Sequence, residues 1–276
     1  DSLGFLPLEK ESESVSKTLE YAFDDACIAK MAADMGNVEV AEWFGRRAQG
    51  WKNLFNPDNG FLQPRYGAAW REAFDPSEVT FEYTEANGWQ YNFFVPHDVS
   101  GHMTLLGGAE GYADMLERMF GGSSRLSGRH QSDITGLIGQ YAHGNEPSHH
   151  MAYLPSYAGH PERTQALVDS ICDVLYTADP DGLSGNEDCG QMSSWYVWSA
   201  LGLYPVTPGS DIYVLGTPRF ERASWTFPEG GTLEIRVKRE SPESVYIHGL
   251  QIDGVPTTKG WVTHDQLMAG GVWRFD

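Results

Sequence analysis

The 276-residue chain is long enough for one large domain or two small ones with a buried core. Its 38 acidic residues against 19 basic ones give a formal net charge of −19, which disfavours nucleic acid and anionic membranes as partners. No segment approaches the roughly 20 apolar residues of a membrane span. Three scattered cysteines (Cys27, Cys172 and Cys189) match neither a disulfide framework nor a zinc cluster.

Residues 8–206 are predicted to form mainly helices, joined by loops rich in Gly and Pro. Apolar residues recur there every three or four positions, which is typical of helices that bury one face. The predicted helices are Glu9–Met35, Val38–Phe55, Ala109–Phe120, a segment beginning at Pro161, and Gly190–Tyr204. The last helix is apolar on almost every side, so we expect it to be buried all round.

Beyond about residue 207 the pattern changes to short, β-rich and partly alternating segments separated by turns. The predicted strands are Ile212–Leu215, Thr232–Val237, Ser244–His248 and Gly271–Phe275. We therefore expect a helical domain at residues 1–206 and a small β-sandwich-like domain at 207–276. The paired helices and long loops favour a mainly α fold of the α/α-toroid type, with too few helices here for a complete barrel.

Residues 83–91 are the first of three loops rich in polar residues beside Gly and aromatic residues, where functional side chains usually lie. Glu85 precedes Trp89 in this loop. An indole beside a carboxyl group would partly desolvate it and raise its pKa, as a general acid requires. The alternative is that Glu85 caps a helix or forms an ion pair at the surface.

Residues 143–150 form the second polar loop. Asn145 and Glu146 carry hard oxygen donors of the kind that calcium binds. His149 and His150 are adjacent, so on a helix they would point about 100° apart, and they lack the i, i+4 spacing of a zinc-binding helix. Zinc is therefore not expected. Asn145 could instead be a helix cap, with a proline in the first turn.

Residues 185–196 form the third polar loop and the start of the last predicted helix. Asp188 and Gln191 have the spacing of a capping box, in which the carboxylate would cap that helix. A carboxylate at a helix N-terminus is also held in its ionised form, which a general base needs. Spacing alone leaves both interpretations open.

Read in order, these segments resemble glycoside hydrolase family 92 over nearly the whole chain. The matching segments are Ser14–Asp25 (SVSKTLEYAFDD), Glu85–Tyr91 (EANGWQY), Val95–Asp98 (VPHD), Gly139–His150 (GQYAHGNEPSHH), Gly185–Ser193 (GNEDCGQMS) and Leu203–Val206 (LYPV). Their length, their order and the β-rich end that follows them make the resemblance specific.

The resemblance implies an exo-acting α-mannosidase with an (α/α)6 barrel that hydrolyses the terminal α-mannosides of glycans with inversion. It implies that Ca²⁺ assists the binding and distortion of the sugar. It further implies that Glu85 is the general acid and Asp188 the general base, with Asn186 in the same catalytic set. The remaining implied roles are substrate binding by Trp89, Glu187, His149 and His150, and calcium binding by Asn145, Glu146 and Gln191.

Family members carry further N-terminal parts, so the resemblance implies that this chain acts as a portion of a longer protein. Calcium use and a glycan substrate imply a secreted, periplasmic or cell-surface location, although no signal peptide is visible at Asp1. Two other interpretations stay open. One is a non-catalytic mannose- or glycan-binding protein with the same fold, and the other is an inverting α/α-toroid glycosidase for a different sugar.

Overall fold

The computed structural model describes residues 3–228, 230–241 and 244–276. The chain divides into two compact units, residues 1–148 and 149–276. Helices account for 38% of the described residues and strands for 18%. The fold is therefore mixed, because the loops between the helices contribute small sheets that the helical periodicity does not predict. The toroid arrangement stays a prediction.

The first unit is built from helices and two-stranded sheets. Within residues 3–148 its helices are α1 (Ser14–Asp34), α2 (Val38–Arg47), α3 (Gly88–Asn92), α4 (Val99–Leu105) and α5 (Ala109–Gly121). Its paired strands are β1 (Phe55–Asn56) with β2 (Phe61–Leu62), β3 (Arg65–Tyr66) with β4 (Ala69–Trp70), β5 (Glu78–Val79) with β6 (Ser127–Gly128), and β7 (Leu137–Ile138) with β8 (Tyr141–Ala142).

The predicted helix over Val38–Phe55 is wrong in its second half. Helix α2 ends at Arg47, and a separate 3₁₀ helix covers Gly50–Leu54. The chain passes close to Gly50, since a Cβ atom there would lie 2.6 Å from the carbonyl oxygen of Gly4. This close approach uses the missing side chain of glycine, whose low helix propensity also favours the break.

The core of the first unit packs α1 against the residues that follow β5. Val15 and Leu19 on α1 are fully buried, as the helical periodicity predicts. They belong to one hydrophobic cluster with Trp51, Tyr83 and Tyr91. The buried face of α1 therefore lies directly beside the polar segment at residues 83–91.

The second unit begins with a 3₁₀ helix at Met151–Ala158 and ends in two sheets. Its helices are α6 (Pro161–Val174), α7 (Gln191–Ala200) and α8 (His264–Ala269). One sheet has the order β15-β10-β9, with β9 (Leu203–Tyr204), β10 (Ile212–Leu215) and β15 (Trp261–Thr263). The other has the order β11-β12-β16-β13-β14, with β11 (Arg222–Thr226), β12 (Thr232–Val237), β13 (Leu250–Ile252), β14 (Val255–Thr257) and β16 (Gly271–Phe275).

Both sheets contribute to one hydrophobic core. Leu215 and Val262 of the three-stranded sheet share a cluster with Ile235 and Trp273 of the five-stranded sheet. The predicted strands at Ile212–Leu215, Thr232–Val237 and Gly271–Phe275 are confirmed. In the described part of the chain the strands longer than two residues begin at Ile212. The domain boundary at residue 207 stays a prediction.

Two predictions in this unit are wrong. Segment 244–248 is not a strand: the backbone N–H of Ile247 donates to Oε1 of Gln165 at 3.1 Å, and that of His248 donates to the carbonyl of Asp276. Its donors are thus used by a helix side chain and the chain end instead of a neighbouring strand. Helix α7 is not buried all round either, because Val197 is 56% exposed. No helix in the described part of the chain is long and apolar enough to cross a membrane.

Candidate active site

The Glu85 loop (residues 83–91) is anchored on both sides of Glu85. The hydroxyl of Tyr83 donates to the carbonyl of Leu62 at 2.9 Å, and both groups are buried. The backbone N–H of Thr84 donates to Oγ of Ser16 on α1 at 2.8 Å. The backbone immediately before Glu85 is therefore tied to two other elements of the same unit.

A buried network of side-chain amides anchors the other end of the loop. Asn87 caps α3 and forms a reciprocal capping box with Gln90. The amide nitrogen of Asn87 also donates to Oε1 of Gln140 at 2.9 Å, and that of Gln90 donates to the Gln140 carbonyl at 3.2 Å. All three side chains are buried. Because buried amides are costly to leave unpaired, this network fixes the loop against the segment that leads to residue 145.

Glu85 itself has a left-handed backbone, with φ of 49°. Glutamate rarely adopts this conformation, which costs an L-residue about 1–2 kcal/mol. Its half-buried carboxylate accepts a hydrogen bond from Nδ2 of Asn145 at 3.4 Å. Two predicted site residues, Glu85 and Asn145, are thus brought together by the fold.

The contact with Glu85 uses the amide nitrogen of Asn145. A short 3₁₀ helix follows it at Glu146–Ser148, and the N–H of Ser148 donates to the Asn145 backbone carbonyl. A helix cap would use the amide oxygen of Asn145 instead. The capping and calcium-binding interpretations of Asn145 therefore both stay predictions.

Trp89 lies on α3 and is only 8% exposed. Its ring meets that of Phe61 edge to face at 4.7 Å between centroids, and the Arg118 guanidinium lies 5.5 Å from it. Trp89, Arg118 and Gly121 line one side of an open groove of about 630 Å³ in this unit. The role predicted for Trp89 in binding substrate stays a prediction.

In the second unit, the Asp188 loop (residues 185–190) leads into α7. The cap of this helix comes from Glu187, whose two carboxylate oxygens accept from the N–H of Ser193 at 3.0 Å and from its Oγ at 2.7 Å. These bonds lower the pKa of Glu187. The residue at the N-cap position is Gly190, which has no side chain, so the longer Glu187 reaches the third helical residue in its place.

The predicted capping box of Asp188 and Gln191 is therefore wrong. Asp188 lies two positions before the N-cap residue Gly190, and its backbone carbonyl accepts from the N–H of Gln191. Its exposed carboxylate is not used as a cap. The sequence left both helix capping and a general-base role open for Asp188. In the structure the neighbouring Glu187 caps the helix.

The backbone of the Asp188 loop is left-handed at three consecutive residues. The φ angles are 40° for Asp188, 59° for Cys189 and 86° for Gly190. Within the described residues, six non-glycine positions have positive φ, and three of them are Glu85, Asp188 and Cys189. Strained backbone of this kind persists where surrounding structure holds it, and it concentrates at functional sites.

Gln191 and His149 meet beside this loop. Nε2 of Gln191 and Nδ1 of His149 are 3.1 Å apart, and the buried indole of Trp195 donates to the His149 carbonyl at 2.9 Å. The Gln191 side chain also hydrogen-bonds the hydroxyl of Tyr204. His150 is buried and precedes the 3₁₀ helix that begins at Met151. The fold thus joins Gln191 to His149.

Comparisons with known proteins identify the family to which this chain belongs. The family model described as "Glycosyl hydrolase family 92 catalytic domain" matches residues 1–276. The chain belongs to glycoside hydrolase family 92.

Solved structures of this family have the same fold over the matched region. An α-mannosidase of family 92 from Bacteroides thetaiotaomicron, in complex with mannoimidazole, is 37% identical with a TM-score of 0.93, over 99% of this chain and 37% of that one. A family 92 inverting mannosidase from the same organism is 34% identical with a TM-score of 0.89, over 100% and 39% respectively.

A relative known by sequence extends the comparison to fungi. A protein of Arthroderma benhamiae named as an uncharacterized secreted glycosidase is 30% identical over 98% of this chain and 37% of its own length. The chain thus spans less than two fifths of the length of these relatives.

The residues predicted to bind calcium in this family 92 chain carry oxygen donors. Among the described residues, no group of three or more His, Cys, Asp and Glu side chains is placed to hold a metal ion. The predicted set contains one carboxylate, Glu146, and the amide oxygens of Asn145 and Gln191. The bond from Asn145 to Glu85 uses the amide nitrogen, so its oxygen is the atom that would bind calcium. Amide and carboxylate oxygens fit calcium, whose shell is commonly completed by other oxygens.

Sequence reasoning missed the residues that support the site. The spacing of Asn87 and Gln90 before a run of aromatic residues is the signature of a capping box, which could have identified this pair. Nothing local in the sequence connects either residue to Gln140, which lies 53 positions from Asn87. Glu20 and Ser16 lie in a segment that matched the family, yet their polar side chains on a buried helix face suggested no role.

Proposed function

We propose that the protein containing this chain is a calcium-dependent exo-α-mannosidase that hydrolyses terminal α-mannosides of glycans with inversion. Membership of family 92 and the mannosidases among the solved relatives support the substrate class. The observation that carries the residue assignment is the left-handed backbone shared by Glu85 and Asp188 on two anchored loops. Such strain needs a compensating gain, and orienting a reacting carboxyl group supplies one.

In the proposed reaction Glu85 is the general acid. Its carboxyl proton passes to the glycosidic oxygen while the bond from that oxygen to the anomeric carbon breaks. The left-handed backbone and the amide of Asn145 orient this carboxyl group.

Asp188 is the general base. Its carboxylate accepts a proton from a water molecule as the water oxygen bonds to the opposite face of the anomeric carbon, which gives β-mannose. Inverting glycosidases hold the two carboxyl groups roughly 6.5–9.5 Å apart to leave room for this water. The exposed carboxylate of Asp188 suits this role because Glu187 forms the helix cap. Asn186 stands beside the base in the same loop.

Calcium, when bound, would supply a hard cation for sugar hydroxyl oxygens, with Asn145, Glu146 and Gln191 as its proposed ligands. Trp89, His149 and His150 are proposed to line the substrate site, as is Glu187 through the part of its side chain that the cap leaves accessible. We also propose export from the cytoplasm, which is supported by the name of the Arthroderma relative. The α/α toroid, completed by the rest of a longer chain, is proposed as the scaffold.

The product anomer tests this proposal. The native protein should release mannose from an α-mannobioside with β-mannose as the first product in proton NMR, and a calcium chelator should stop the release until calcium is restored. Initial formation of α-mannose would contradict the inverting mechanism. Mannose binding by calorimetry, without hydrolysis of any α-mannobioside, would identify a glycan-binding protein instead.

A further inference from the structure

Tyr91 stands at the centre of a buried hydrogen-bonded group that joins α1 to the Glu85 loop. We define the Tyr91 cluster as Ser16, Glu20, Thr84 and Tyr91. The Tyr91 hydroxyl donates to Oε1 of Glu20 at 3.3 Å. The side chains of Ser16 and Thr84 lie close enough to this hydroxyl to lower its pKa. Ser16 and Tyr91 are buried, while Glu20 and Thr84 are half-buried.

The direction of these hydrogen bonds gives each member a distinct task. Ser16 Oγ accepts the backbone N–H of Thr84 and lies beside the Tyr91 hydroxyl. The Tyr91 hydroxyl in turn donates to Glu20. Glu20 is thus the final acceptor, and without it the buried Tyr91 hydroxyl would lose the partner for its proton.

The protonation states agree with this order. Burial raises the pKa of Tyr91 above its ordinary value, so the hydroxyl remains a donor. Burial also raises the pKa of Glu20 to about 7, with Asp24 adding to the rise and the bond from Tyr91 opposing it. Near neutral pH a large share of the molecules therefore have Glu20 uncharged. The Tyr91 cluster requires only that Glu20 provide an oxygen that accepts a hydrogen bond.

The cluster ends next to the strained residue. Thr84 is held through its backbone N–H, which donates to Ser16 on α1, and Glu85 with its φ of 49° follows directly. If Thr84 were released, the backbone at Glu85 could relax towards an ordinary conformation and turn the carboxyl group away. A shift of about 1 Å in a reacting group can lower a rate by about 10²-fold.

We propose that Glu20 and Tyr91 are positioning residues that, through Ser16 and Thr84, hold the carboxyl group of Glu85 in line with the glycosidic oxygen. This inference rests on the proposed function, in which Glu85 is the general acid. The Tyr91 cluster touches neither substrate nor metal in this account and acts only through the backbone at residue 85.

The test uses two substrates that differ in their need for an acid. An α-mannobioside has a sugar leaving group that must be protonated, whereas 2,4-dinitrophenyl α-mannoside has a leaving group that departs without protonation. In the native protein, Tyr91→Phe should lower kcat on the mannobioside by about 10- to 100-fold and leave kcat on the aryl mannoside nearly unchanged. Glu20→Ala should behave in the same way, and Glu20→Gln, which keeps an acceptor oxygen, should restore the activity on the mannobioside.

Two further variants complete the test, one as a control and one as a second break in the same link. Tyr213→Phe removes a hydroxyl that bonds His264 in the strand-rich part of the second unit, and it should leave kcat on both substrates at the parental level. Ser16→Ala removes the bond to the Thr84 N–H without touching an aromatic ring, so it tests the same link if Tyr91→Phe impairs folding.

Glu85→Gln is the reference that separates the two proposals. Suppose that Glu85→Gln loses activity only on the mannobioside. If Tyr91→Phe and Ser16→Ala then lose kcat equally on both substrates, or lose none, the positioning role alone is overturned. If Glu85→Gln itself shows no dependence on the leaving group, the assignment of Glu85 as the acid fails, and the positioning role fails with it.

Discussion

The Glu85 loop and the Asp188 loop hold their carboxyl residues in the same left-handed backbone by different means. Glu85 is flanked by hydrogen bonds that its loop donates to Ser16 on α1 and to Gln140, and by the capping box of α3. Asp188 is exposed and depends on three consecutive left-handed residues and on the cap that Glu187 gives to α7. The first arrangement is set by the core of its unit, whereas the second is set locally by the backbone. We therefore expect the two loops to respond differently to substitution and to pH.

Breaking the amide network under the Glu85 loop should have the largest effect on stability. Asn87→Ala removes the cap of α3 and leaves buried Oε1 of Gln140 without the donor it has now, at a combined cost of about 3 kcal/mol in the free energy of unfolding. Urea denaturation of the variant and of the parental protein measures this difference in the free energy of unfolding. Asn37→Ala is the matched control, since Asn37 only caps α2 at an exposed site and should cost about 1 kcal/mol. Equal losses in the two variants would show that the network adds nothing beyond the cap.

The two loops should also differ in how stability depends on pH. Glu20, beside the Glu85 loop, faces Asp24 and the Tyr91 hydroxyl, and its pKa is raised from 4.5 to about 7 in the folded protein. A raised pKa means that the folded state binds the proton more tightly, so this stabilisation is complete below about 4.5 and is lost as the pH rises to about 7. Glu20→Gln should flatten the fall in unfolding free energy across that range. An unchanged slope would contradict the burial of this carboxyl group.

Glu187 should show the opposite sign. Its pKa is lowered by the hydroxyl and the N–H of Ser193, so the cap stabilises the protein above the ordinary value of 4.5 and is lost as the pH falls below it. Ser193→Ala removes the stronger bond, and the variant should lose less stability than Asn87→Ala, chiefly at neutral pH. Ser194→Ala, at the exposed neighbouring position, is the control and should change little. A loss in Ser193→Ala that persists unchanged at pH 3 would exclude the ionised cap.

The backbone strain of the Asp188 loop predicts the smallest effect. Cys189 has a φ of 59°, which glycine adopts without the penalty of about 1 kcal/mol that a side chain adds. Cys189→Gly should therefore leave the unfolding free energy unchanged or raise it slightly. The same substitution at exposed Cys27, inside α1, should lower it by about 1 kcal/mol. Similar losses at both positions would argue against the left-handed conformation.

The sequence predicted the elements whose side chains repeat regularly. Helix α5 and strand β12 follow from their apolar periodicity and begin and end close to the expected residues, and helix α6 begins at Pro161 as expected. Segment 244–248 has the same β-rich composition as a strand, but its hydrogen bonds go to Gln165 and the chain end. The composition of a segment does not specify its hydrogen-bond partners. Here the backbone N–H of Ile247 bonds to the distant Gln165 side chain and not to a strand.

The residues proposed for the site came from motif resemblance, whereas the contacts that support their loops could not be predicted. Glu85, Asn145 and Asp188 were found through motif resemblance, and only the pair of Glu85 and Asn145 is joined by a contact that the structure describes. Neither glutamate nor aspartate indicates a left-handed backbone by its identity, so the strain at Glu85 and Asp188 could not be predicted. The capping error at Asp188 arose because spacing was counted from a helix start that the structure places at Gln191.

The assignment of Glu85 and Asp188 is tested most directly by comparing Glu85→Gln and Asp188→Asn in the native protein on the two leaving groups. Our account predicts that Glu85→Gln loses about 10²- to 10⁴-fold in kcat on the mannobioside and far less on the dinitrophenyl mannoside. Asp188→Asn should lose activity on both substrates to the same degree, because both need the activated water. If the two variants show the same dependence on the leaving group, or if either retains parental turnover, these residues are not the acid and the base.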